Sequence, residues 1–119
     1  MINVNVCSLT YVTKILIPKM LDSGHKTGIV NFGSMVHNLY MPKVAVFAAT
    51  KGYMGVFSQN LSRELKDQID VLYVKPTAIK TKNQFFTGLW VISPASHARS
   101  TLKKLGWDSE TFGHPKHAI

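Results

Sequence analysis

Two short apolar runs, GIVNF at 28–32 and IDVLYVK at 69–75, flank a long segment of helical periodicity. Each run is too short for a buried helix and is bounded by glycine or proline, so each reads as a buried strand. Between them, residues 44–66 carry Val46/Phe47, Thr50, Tyr53, Val56/Phe57, Asn60/Leu61 and Glu64/Leu65 at helical spacing. A strand, a helix and a second strand make a crossover unit, and such units build parallel sheets. Residues 6–23 predict a preceding helix, with Asn5 as a cap, Gly24 as its stop and Pro18 as a kink or loosened turn. Residues 93–106 predict a third helix, with Ser93 capping it, Pro94 in its first turn and Gly106 ending it. The tail from Asp108 predicts a loop and a further short strand. Gly52 and Gly55 each cost the central helix about 1 kcal/mol of propensity, which predicts that another backbone comes close to it. The fold class is α/β, in one domain.

Composition narrows the partners. Fourteen basic and six acidic residues give a formal net charge of +8, which raises nucleic acid or an anionic membrane as a partner. The lysines are scattered, no run of five basic residues occurs, and aromatics do not interleave with a basic stripe. That pattern argues against nucleic acid and suits small anions such as a nucleotide or an acyl thioester. Cys7 is the only cysteine, so no internal disulfide forms and a reducing compartment is implied. No Cys/His spacing suggests zinc, and His25, His37, His97, His114 and His117 read as solvated residues of loops and ends. No apolar run reaches the ~18 residues of a membrane span. The amino terminus lacks the basic start and apolar core of a signal peptide.

Chemistry is expected where ligands bind in open α/β sheets, at the carboxyl ends of the strands. The first strand runs out at Gly33-Ser34 and the second at Pro76, with Thr77 and Thr81 beyond. Ser34 and Lys51 fall into one neighbourhood with Phe47 between them, 13 residues after Ser34.

These residues resemble the catalytic half of the short-chain dehydrogenase/reductase family. In that family a serine ends a strand, and a Tyr-x-x-x-Lys motif follows on the next helix. Here FAATK stands where the family has YSATK or YSASK. Asn5 in INVNV matches the family's helical asparagine, and Pro18 a proline of the same helix. In PTAIKT, Pro76 and Thr81 match the loop after the next strand, while Thr77 replaces the usual glycine. INVN, ILIPKML, ATKGYMGVFSQNLSREL and the ending ISPASHARSTLKKLGWDSETFGHPKHAI are similar to one branch, that of the 17β-hydroxysteroid dehydrogenases and very-long-chain 3-oxoacyl-CoA reductases.

The resemblance implies a doubly wound, Rossmann-like parallel sheet and NADP(H)-dependent reduction of a ketone on a steroid or a long-chain acyl-CoA. It implies roles for Asn5, Ser34, Phe47 (at the tyrosine position) and Lys51 in the catalytic set, and for Lys51, Pro76 and Thr81 at the cofactor. In the family the tyrosine donates a proton as hydride arrives, lysine lowers the hydroxyl's pKa and holds the ribose, serine orients the substrate oxygen, and asparagine keeps a water relay. The endoplasmic reticulum is the compartment implied, with the cytoplasm as the alternative.

Two departures bear on activity. Phe47 cannot donate a proton, and a general acid supplies roughly 10²–10⁴-fold. A hydroxysteroid-dehydrogenase-like subgroup that carries Phe at this position is regarded as lacking ordinary dehydrogenase activity. Tyr40 lies in the loop, and Tyr53 is turned about 600° along the helix from Phe47, onto another side. The glycine-rich turn that seats the cofactor pyrophosphate on a helix N-terminus is not found in the 119 residues, so residues 1–119 are expected to form a partial domain lacking the first four strands. The first strand would then be an unpaired edge. The alternative function is a non-catalytic module that pairs with a second copy or a relative through helices 6–23 and 44–66. Trp90, Phe85 and Phe86 suit either a substrate-covering segment or an apolar patch.

Overall fold

The computed structural model describes residues 1–82, 88 and 90–118. A π-helical turn, Asn3–Cys7, runs into α1 (Ser8–Leu21). Strand β1 (Thr27–Phe32) follows, then a 3₁₀ turn (Met35–Asn38), helix α2 (Ala45–Glu64), strand β2 (Ile69–Val74), helix α3 (Pro94–Leu102), strand β3 (Glu110–Thr111) and a closing 3₁₀ turn (Pro115–His117). The three strands form one parallel sheet in the order β1-β2-β3, with Thr27 opposite Ile69 and Phe32 opposite Val74. The α/β reading and the parallel sheet therefore stand. Among the described residues β1 has a neighbour on one side only.

Side chains alternate across a strand, which assigns the two faces. Ile29 of β1 and Ile69 and Val71 of β2 face α1 and α2, where Ile17, Met20, Phe57, Leu61 and Leu65 close over them. On the opposite face Leu105 lies beneath Gly28, and His97 of α3 sits against Phe32. β2 is buried along nearly its whole length, as a strand covered on both faces must be.

Several expectations are corrected. The first helix does not start at an Asn5 cap: Asn5 lies inside the π turn, and its side chain leaves the helix for α2. Helix α1 ends at Leu21 and not at 23, with Pro18 inside its last turn. The buried stripe of α2 is Thr50, Met54, Gly55, Ser58 and Leu61, while Val46, Tyr53 and Val56 point outward. Small and hydroxylated residues take the sheet side because they let the helix lie close, with Ser58 accepting from buried Asn31 at 2.9 Å. The third helix is shorter than 93–106. After Leu102 the chain tightens into turns, with Lys104 N–H on the Thr101 carbonyl at 2.9 Å, and reaches Gly106 at φ +86°. Ser93 caps α3 as expected, accepting from Ser96 N–H at 3.2 Å. The apolar cluster FFTGLWVI is described only in part. Trp90 is exposed, and Phe85 and Phe86 lie outside the described residues.

Leu72 is fully buried at the centre of β2. Its replacement by alanine removes packing on the α3 face and is expected to cost about 2–5 kcal/mol, read as a lower urea midpoint with an unchanged denaturant slope.

Candidate active site

The carboxyl ends of β1 and β2 and the first turns of α2 meet at one place. Ser34, just past β1, is in extended conformation and caps the 3₁₀ turn, its hydroxyl accepting from Val36 N–H at 3.2 Å. Its carbonyl takes a 2.7 Å hydrogen bond from His37 Nδ1. Beside it, the Pro76 carbonyl accepts from Met35 N–H at 3.4 Å. Phe47 and Lys51 share a face of α2 as i and i+4, and Lys51 Nζ lies 5.6 Å from the Phe47 ring centroid.

Asn5 comes to the same turn from the other side. Its Nδ2 donates to Thr50 Oγ1 at 3.0 Å, and Thr50 Oγ1 donates to the Phe47 carbonyl at 2.8 Å. The asparagine is thus tied through a hydroxyl to the backbone of the residue four before Lys51. π-Helical turns often mark functional positions in helices, and here the turn aims Asn5 across to α2.

Tyr73 joins Ser34 to Lys51, and sequence reasoning missed it. It is 1% exposed. Its hydroxyl donates to the Lys51 carbonyl at 3.1 Å and lies against the Gly33–Ser34 backbone. Burial pushes its pKa up to about 12, partly opposed by the nearby Ser34 backbone and reinforced by the Glu110 charge. It is a neutral strut, not a proton donor near neutral pH. Two glycines make room for it. A Cβ on Gly33 would run into the hydroxyl, and one on Gly55 would lie 3.1 Å from Tyr73 Cε1. Gly55 therefore admits a ring, not the backbone expected, and Gly52 meets only His37 Cβ at 3.9 Å. Of the two helix glycines that stand out in the sequence, Gly55 alone signals this close approach, without naming its partner.

Lys51 is half-buried, and burial lowers its pKa from the ordinary lysine value. Its other near contact is Met54 Sδ at 3.7 Å. It pairs with no carboxylate among the described residues. Thr81 is exposed, and no hydrogen bond among the described residues joins it to the other site residues. Tyr40 is 95% exposed at φ +43°. Tyr53 stacks on Phe57 and shares a 2.7 Å hydrogen bond with Thr10 Oγ1. A cavity of about 220 Å³, lined by Met35, Thr77, Ala78, Trp90, Lys116 and His117, opens next to Ser34 and Pro76. Among the described residues no three of His, Cys, Asp or Glu converge as a metal set. The histidines are not all solvated, however: His97 lies within α3 at 1% exposure, and His117 is 2% exposed.

A family profile described as short chain dehydrogenase matches residues 1–88. The chain belongs to that family. The very-long-chain 3-oxoacyl-CoA reductase of Rattus norvegicus is 33% identical over 122 residues, covering 100% of this chain and 39% of the relative. A putative steroid dehydrogenase 4 of Caenorhabditis elegans is 32% identical, covering 99% of this chain and 46% of its own length. A solved short-chain dehydrogenase from Sphingobium yanoikuyae in complex with NADPH is 33% identical, with a TM-score of 0.62 over 68% of this chain and 32% of that one. The chain spans less than half the length of the curated relatives it matches.

Tyr73→Phe keeps the ring between the glycines and removes the hydroxyl. It is expected to destabilise by roughly 0.5–1.5 kcal/mol. The difference between wild type and variant in an alkaline absorbance titration should show the Tyr73 phenol ionising near pH 12. Because the folded pKa is raised, the stabilisation is complete below the unfolded value near 10 and is lost as pH rises toward 12.

Proposed function

We propose that this chain is the ketone-binding half of an NADP(H)-linked reductase of the steroid and very-long-chain 3-oxoacyl-CoA branch, with its proton-donating position occupied by Phe47 and ordinary turnover lost. The observation that carries the reading is the Lys51 ammonium, 5.6 Å from the centroid of a ring that has no hydroxyl. A lysine beside a phenol lowers its pKa and makes it a usable acid near neutral pH. Beside a phenyl ring the same lysine has nothing to activate.

The rest of the constellation fits the roles by residue type. Ser34 Oγ accepts from Val36 N–H and keeps its own hydrogen to donate to a substrate oxygen. Asn5, held by Thr50, offers its carbonyl to a water. Lys51, unpaired with any described carboxylate, has N–H groups to spare for ribose hydroxyls, and Pro76 and Thr81 would flank the nicotinamide. When bound, that cofactor would supply the hydride. The anchor for its pyrophosphate would lie outside the 119 residues, since none of them reads as the glycine-rich turn. The endoplasmic reticulum and lipid metabolism follow from the same branch.

The test is a chimera in which residues 1–119 replace the matching segment of the rat 3-oxoacyl-CoA reductase, assayed with NADPH and a long-chain 3-oxoacyl-CoA, and with estrone. Turnover is expected at least roughly 10²-fold below the parent, with Phe47→Tyr restoring a factor within roughly 10²–10⁴. Near-parental turnover with Phe47 in place would overturn the reading.

A second reading, a non-catalytic pairing module, rests on a different observation. Tyr11, Val12, Ile15 and Leu16 of α1 and Val46, Tyr53 and Val56 of α2 are exposed apolar residues, and the Thr10–Tyr53 bond places the two helices side by side. On this reading the chain co-elutes with a full-length relative in size-exclusion chromatography, and Ile15→Asp with Val56→Asp abolishes co-elution. A chain that stays monomeric beside the relative counts against it.

A further inference from the structure

His117 is buried beside the ends of β1 and β2, in contacts that the reaction does not require. Its Nε2 lies 3.1 Å from the Ala78 carbonyl and 3.0 Å from the Trp90 carbonyl. Carbonyls only accept, so Nε2 carries the hydrogen. The other nitrogen, Nδ1, takes a long 3.5 Å bond from Thr77 N–H. The ring is therefore neutral, and its three bonds tie the closing turn to two backbone segments. Those segments are already knitted weakly to each other: Ile79 bridges Ile92, Lys80 N–H meets the Ile92 carbonyl at 2.8 Å, and Ile92 N–H meets the Ala78 carbonyl at 3.4 Å. One segment leaves Pro76 and leads to Thr81.

Two other imidazoles lie close to this ring. His97 of α3 is 5.6 Å away between ring centroids, and His114 of the same tail is 6.4 Å away. His97 is itself committed as a neutral group, with Nε2 donating to the Phe112 carbonyl at 3.2 Å and Nδ1 against Thr101 Oγ1 at 3.3 Å. Burial, and then the neighbouring His117 and His114, depress its pKa, partly offset by the Phe112 carbonyl. The other cations nearby are Lys116 of the tail and Lys75 at the end of β2, and Lys75 is paired with Glu110 and lies over Phe112. No described carboxylate pairs with any of the three histidines.

We propose that His117 is a positioning residue: as the neutral Nε2–H form it holds the Ala78 and Trp90 backbones together beside Ser34 and Pro76, and its protonation lets them separate. Protonation at Nδ1 turns an acceptor into a donor facing the Thr77 N–H and sets a positive charge among two other imidazoles. That these backbones wall a ketone site rests on the proposed function; the hydrogen bonds themselves do not.

The experiment uses the 119-residue chain carrying Trp107→Phe, which leaves Trp90 as the only tryptophan. Trp90 emission is followed from pH 8 to pH 5. One step in emission is expected within that range. In His117→Gln the step disappears, because the carboxamide still donates to both carbonyls and cannot titrate. His117→Phe shows the low-pH emission already at pH 8. A flat titration of the parent, or a step that persists in His117→Gln, would overturn the proposal. Should His117→Phe fail to fold, the His117→Gln comparison decides together with ¹⁵N spectra of the ring at pH 8, where Nε2–H is expected and Nδ1–H would contradict the assignment. Loss of turnover in the chimera bears on the proposed function alone, and a flat Trp90 titration bears on His117 alone.

Discussion

The hydroxyl of Tyr73 is the point on which the candidate site depends. It comes from the middle strand and stops between the end of β1 and the second turn of α2, bonded to the Lys51 carbonyl and set against the Gly33–Ser34 backbone. Farther along, the same two elements are joined by the buried Asn31–Ser58 hydrogen bond. A buried phenol without a partner costs free energy, so the bond to the Lys51 carbonyl also fixes where the ring ends. Shifting either element would strand the hydroxyl or drive the ring into Gly33 or Gly55. The spacing of Ser34 from Lys51 is set by the length of one side chain.

What could be read from the residues alone divides along physical lines. The strands at 28–32 and 69–75 were legible because a buried parallel strand is a short apolar run with clear stops, and both fall where expected within a residue. The parallel order followed from the intervening helix. The face of α2 was misjudged. The periodicity puts Thr50 and Leu61 inside, as found, but also Val46, Tyr53 and Val56, which are outside, and it passes over Met54 and Ser58, which are inside. Hydroxyls bonded to their own helix carbonyls, as Ser58 is to Met54 at 2.7 Å, lose their polarity to the outside and pack as small groups.

The site was legible as a set of positions and not as a set of bonds. Ser34, Phe47 and Lys51 could be placed together because strand ends and helix turns have fixed rises. The link from Asn5 to Thr50 could not, since it spans 45 residues of chain. The histidines show the same limit more sharply. His97 and His117 are separated along the chain and buried against each other, and a polar residue in a polar-looking tail carries no mark of burial.

The pairing of Lys51 with Phe47 has a consequence at the level of the gene. On the proposed reading the helix keeps the cation and lacks a single oxygen atom beside it. Phenylalanine and tyrosine codons differ at one base, so the missing oxygen lies one nucleotide substitution away. The turn itself is held through the Phe47 and Lys51 carbonyls, which a tyrosine at position 47 leaves in place. Loss and recovery of the proton donor would be mutationally symmetric at this position.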